Sequence, residues 1–195
     1  MYWVEDIISL GFQSVQLTTY HLQLKNMLAF KEWSYVVTAL GKGKQSLILR
    51  KGGISEEKGD FELKDKEFLL FPTLYHQAEQ FIKPDWLPFL RSEDFYGQPD
   101  QVRIKYFAKV IESQVLTDWE KVKKLDGFHA WKEEIIKERF TRWENKIQLL
   151  IVQVFELGAA QDISLKSEYD GCKSWIEISD KIDLIGRPIV NRNIV

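Results

Sequence analysis

Only one cysteine, Cys172, occurs in 195 residues, so no disulfide staples the fold. Three histidines beside it are too few for a structural zinc site. Five prolines and 11 glycines exclude collagen-like and low-complexity character. No apolar run approaches the roughly 18 residues of a membrane span, so no membrane partner is expected. The first ten residues hold Glu5 and Asp6 but no Lys or Arg, which speaks against a secretory leader and makes cytoplasm the expected compartment. Charge of one sign is also missing. The net charge is -2, and 27 cations and 29 acids are spread over both halves, unlike a protein that coats DNA without specificity. What is present in quantity is core material: 45% apolar residues, including 7 Trp, 7 Tyr and 12 Phe, in a chain long enough to hide roughly 70% of its unfolded surface. Intrinsic disorder is thereby excluded.

The pattern of apolar residues predicts an N-terminal extension over residues 1–25, a single α+β domain over 26–180 and a C-terminal tail over 181–195. From Asn26 to Gly41, Met27, Phe30, Trp33, Val37 and Leu40 recur at three- and four-residue steps, which predicts an amphipathic helix. Short strands are expected at Ser46 to Arg50 and Glu67 to Phe71, the second stopped by Pro72. Strict alternation from Val102 to Val110 predicts a half-buried strand whose outer face carries Arg103, Lys105, Phe107 and Lys109. Residues 129–143 predict a helix with acid-to-base pairs at Glu133/Lys137 and Glu138/Arg142. Ile147 to Leu157, apolar on both alternating faces, reads as a central strand, and Lys173 to Ile178 as another.

Four groups of residues carry candidate chemistry. From Ser34 to Ser55 there is no acid, while Lys42, Lys44, Arg50 and Lys51 stand among Gly41, Gly43, Gly52 and Gly53. Glycines let backbone N–H groups approach a phosphate, and the cations beside them neutralise it. The ordinary alternative is two solvated turns around a strand. The cationic face from Arg103 to Lys109 could track a sugar-phosphate backbone, or could guard a sheet edge. Asp60, Glu62 and Lys64 alternate as in a metal-dependent nuclease, but the second carboxylate such chemistry needs from an earlier strand is not supplied. Cys172 would become a nucleophile if His76 or His129 reached it, and is otherwise a small buried hydrophobe. Trp131, Trp143 and Trp175 read as packing, and Glu32 with Arg139 as an ion pair between elements.

Several blocks together resemble one family, domain of unknown function 1802. They are Lys31-Glu32-Trp33, Leu49 to Ile54, Phe71-Pro72-Thr73 with His76-Gln77, Arg139-Phe140, and Gly171 to Trp175, covering about Ala29 to Ile178. A more distant resemblance is to the ASCH group of PUA-like domains, in which a helix is followed by a glycine, a lysine two residues on and an arginine five residues later. Gly43, Gln45 and Arg50 stand at that spacing here. This resemblance implies a single domain built as a small, mostly antiparallel β-barrel with flanking helices. Gln45 replaces the lysine that belongs to the hydrolytic site of the family's nucleoside-cleaving members, so their activity is not implied. The expected function is a non-catalytic binding module for RNA or another phosphate-bearing ligand. Lys44, Arg50 and Lys51 would be its phosphate contacts, with His76 and Arg139 nearby and no cofactor. The competing expectations are a metal-dependent nuclease, a cysteine-dependent hydrolase, or a protein-interaction domain using the aromatic residues between 86 and 95.

Overall fold

The computed structural model describes residues 20–21, 27–51, 61–74, 78–90, 95–182 and 184–191. Among the described residues eight strands form one sheet: β1 (Tyr20–His21), β2 (Leu28–Trp33), β3 (Leu47–Arg50), β4 (Glu67–Thr73), β5 (Gln101–Leu116), β6 (Ile147–Ser164), β7 (Trp175–Glu177) and β8 (Ile185–Pro188). Against it lie α1 (Ser34–Gly41), α2 (Leu87–Leu90), α3 (Trp119–Lys123) and α4 (Glu133–Thr141).

The sheet grows from β6. Its residues from Ile147 to Phe155 are nearly all buried, as the unbroken apolar run requires. Along one edge it pairs antiparallel with β5, with register shifts between Ile104 and Tyr106 and between Val110 and Glu112. Along the other edge two strands sit end to end: β3, from Leu47 opposite Ile151 to Arg50 opposite Gln148, and then β8, from Pro188 opposite Phe155 to Gly186 opposite Leu157. The pairing path is β1-β8-β6-β5-β4-β2-β7, antiparallel except for the parallel pair of β2 and β4.

The path does not return on itself, so the expected barrel is replaced by an open, largely antiparallel sheet in an α+β fold. Burial gives the reason. A barrel has one interior, whereas successive residues of these strands enter two separate cores. Phe68 and Leu70 of β4 join Phe30, Leu40, Leu149 and Trp175 on one side. Leu69 and Phe71 join Ala29, Ile104, Phe107 and Phe155 on the other. With each large side chain worth about 1.5–3 kcal/mol when fully buried, both faces are stabilised without closure.

The helix expected from Asn26 to Gly41 exists only in its second half. Residues 29–33 instead pair in parallel with residues 69–73, and β7 lies on their other side. Three-residue spacing of Met27, Phe30 and Trp33 coincides with burial of every residue from Leu28 to Phe30, and sheet pairing on both edges overrides the helical pattern. Gly41 ends α1 against β5: a Cβ there would meet the Tyr106 ring at 2.3 Å. The outer face of β5 is not a bare cationic track. Phe107 is wholly buried, Arg103 forks onto Asp162 at 2.7 and 2.8 Å, and Lys109 pairs with Glu67 at 3.0 Å.

Candidate functional site

Segments distant in sequence end on one cleft of about 510 Å³. Lys31 and Trp33 come from the end of β2, Arg50 and Lys51 from the end of β3, and Thr73 and Leu74 from the end of β4. Ile135, Glu138, Arg139 and Arg142 lie one helical turn apart on a single face of α4 and the residue following it. The loop of Gly171, Cys172 and Lys173 completes the lining, and Trp175 anchors it by packing 5.0 Å from Phe30 and 5.1 Å from Phe68, ring to ring.

Arg50 stands at the centre. Its Nη1 is 3.6 Å from Glu32 Oε2, its Nη2 donates to Ser174 Oγ at 3.1 Å, and its guanidinium lies over the Phe30 ring. Glu32 is 1% exposed, its Oε1 accepting from the Trp33 backbone N–H at 2.8 Å, while Oε2 has no hydrogen bond. A carboxylate so deeply buried requires compensation by charge. Arg139 supplies more of it from the other side. Its guanidinium stacks 3.9 Å over Trp131, and its Nη1 is buried with no acceptor. Burial draws the Arg139 pKa down to about 10, with Glu32 opposing that shift and Arg50 adding to it. Lys31 donates to the carbonyls of Tyr169 at 2.5 Å and Gly171 at 2.9 Å, a geometry made possible by the left-handed φ of 84° at Gly171. Its pKa is lowered, first by burial and then by the neighbouring Lys173, with Arg50 contributing and Asp170 opposing.

Six cationic side chains line this hollow, against Glu138 in the lining and Glu32 beneath it. Glu138 is already engaged by Arg142, whose Nε donates at 3.1 Å. The remaining positive charge faces a space also bounded by Trp33, Phe81, Leu74 and Ile135. Such an arrangement can hold an anion through charge-assisted hydrogen bonds and seat an apolar or planar group beside it.

A family model described as domain of unknown function 1802 (DUF1802) matches residues 29–194. The chain belongs to that family. In structure, the DUF1802 chain is similar to ASCH from Zymomonas mobilis, with 10% identity, a TM-score of 0.47 and coverage of 77% of this chain and 86% of that one. Two mutant forms of that ASCH protein give TM-scores of 0.48 and 0.47 at 10% and 12% identity, each covering 77% of this chain and 87% and 88% of theirs. No curated protein matches the sequence.

The described residues of the five DUF1802 blocks recognised in the sequence contribute to the lining or its support. Of the residues expected to bind, Arg50 and Arg139 meet in the cleft. Lys51 reaches its edge, but its ammonium donates to the carbonyls of Glu144 at 2.8 Å and Lys146 at 3.0 Å and fastens the turn before β6. Lys44 lies elsewhere, 3.9 Å over the ring of Phe89. His76 is outside the described residues, as is Asp60 of the nuclease pattern, while Glu62 and Lys64 are exposed. Among the described residues no group of His, Cys, Asp and Glu is placed to hold a metal ion. Cys172 is exposed on the cleft wall rather than buried. His129 is 2% exposed, and burial, followed by the charge on Lys83, lowers its pKa to about 3. Gln45 is a strut: Nε2 donates to the Leu47 carbonyl at 2.7 Å and Oε1 accepts from the Ala130 N–H at 3.1 Å. Glu32, expected to pair with Arg139, has Arg50 as its ion-pair partner. Lys31 and Lys173 were not singled out from charge patterning, and Arg142 was read only as the helix partner of Glu138. For the first two the available signal was membership of the recognised blocks.

Proposed function

We propose that this protein is a non-catalytic binding module for RNA or another phosphate-bearing ligand, held in the cleft centred on Arg50 and Arg139. The observation that carries the reading is the convergence of Lys31, Arg50, Arg139, Arg142 and Lys173 from separate segments on one hollow, where the carboxylates beside them among the described residues are Glu138, Glu32 and Asp170. Guanidinium groups suit this role because their fixed forks match phosphate oxygens. Arg50 is held ready by Glu32 and Ser174, which reduces the entropy lost on binding.

The test is titration of single-stranded RNA and duplex DNA across a salt series. Affinity should fall linearly on a log–log scale, with a slope of about 0.7 per phosphate neutralised on a single strand. Binding that is absent or indifferent to salt overturns the proposal. Cys172 on the same wall supports a second reading, cysteine-dependent hydrolysis. Cys172→Ser separates the two: a binding module keeps its affinity and shows no turnover to lose, whereas a hydrolase loses turnover.

A further inference from the structure

We infer that the cleft takes a nucleotide by its terminal phosphomonoester, with the base seated on Trp33. This deepens the reading above and rests on it. The cleft has two kinds of wall. Around Lys31, Arg50 and Lys173, which come from three separate segments, it is cationic. Two of the three donors of Lys31 are committed to carbonyls, which fixes its position and leaves one N–H for a ligand. Arg139 and Arg142 carry the cationic lining on to α4. Like charges packed this closely are relieved most by a group carrying two negative charges at one point. A phosphomonoester is such a group, and a backbone diester carries only one.

The other wall is apolar. Trp33 and Phe81 lie 5.8 Å apart with their rings at 49°, and Leu74, 63% exposed, and Ile135 extend the surface. Trp33 is braced from behind by Trp131 at 4.6 Å. Arg139 lies 5.8 Å over the Trp33 ring, so a base whose phosphate is held by the cations would meet the indole where it lines the cleft, and aromatic–base stacking is insensitive to which base is present. The volume of about 510 Å³ falls within the range of small-molecule sites, about 300–1,000 Å³.

The experiment is calorimetric titration of the full chain with uridine 5′-monophosphate, uridine, inorganic phosphate, and RNA octamers bearing a 5′-phosphate, a 3′-phosphate or neither, with tryptophan fluorescence recorded in parallel. The expected result is at least tenfold tighter binding of the monophosphate than of uridine, tighter binding of an octamer with a terminal phosphate than of the one without, and fluorescence quenching by the nucleotide but not by inorganic phosphate. Octamers that all bind equally, and more tightly than the monophosphate, overturn the inference while leaving an RNA-binding module in place. Monophosphate binding without quenching overturns the seat on Trp33. Failure of every probe to bind removes this inference and the proposed function together.

Discussion

The two larger hollows bordered by lysines or arginines among the described residues differ in the balance of charge around them. The hollow beside α1, about 640 Å³, is the larger and is bounded by Lys42, Lys44, Phe89 and Val190. Its Lys42 ammonium donates to the Phe89 carbonyl at 2.8 Å, and Lys44 rests over the same residue's ring. In the cleft between β2, β3 and α4 the cations arrive from separate segments and exceed the carboxylates present. Both hollows draw on the acid-free stretch from Ser34 to Ser55. A run of like charge in sequence therefore does not mark a site. Convergence of unlike segments, each giving one or two cations, marks it better.

Acid tests the wall behind the cleft and carries the largest expected effect. His129 sits near Arg139, Lys83 and Asp126, and its pKa is about 3 in the fold against 6.5 for an ordinary histidine. Because the folded value is depressed, the unfolded chain binds a proton in that window that the folded chain does not. The stability is fully present above about pH 6.5 and is lost as pH falls toward 3, by roughly 5 kcal/mol at 1.36 kcal/mol per unit. Denaturant melts across that range should show the loss, and His129→Gln should flatten it. The comparison itself would break if charge removal had the same effect in both hollows. Arg50→Gln with Arg139→Gln should weaken anion binding about 100-fold, near 2.7 kcal/mol, in the same salt-series titration. Glu32→Gln should act in two directions: a loss of roughly 1–3 kcal/mol in thermal stability, because the Arg50 partner is gone, together with tighter anion binding. Lys42→Gln with Lys44→Gln should change affinity less than about twofold and stability by about 0.5–1 kcal/mol, the worth of an exposed cation–π contact.

Much of the frame was legible because strand alternation is a local signal. The strand from Val102 and the helix containing Phe140 were found from period, and the strand from Ile147 from an unbroken run of apolar, β-branched residues. What was not legible depends on pairing between distant segments. Nothing near Phe30 announces that residues 69–73 will lie alongside it, and so β2 resembled a helix. Closure of the sheet depends on which edges meet, which periodicity does not encode. At the site, Arg50 and Arg139 were both identified, although their meeting across 89 positions was not a property of either neighbourhood. Lys51, next to Arg50, shows the limit most plainly. Adjacent strand residues diverge, and its ammonium became a clasp on two carbonyls instead of a ligand contact.

The shared edge of β6 has a bearing on biogenesis. Residues 155–157 have their ladder hydrogen bonds satisfied by β8, so a chain cut before Ile185 would present a bare, apolar strand margin next to the completed part of the sheet. Such a margin templates addition of strands from neighbouring molecules. During translation the same margin stays open until the segment around Pro188 has left the ribosome.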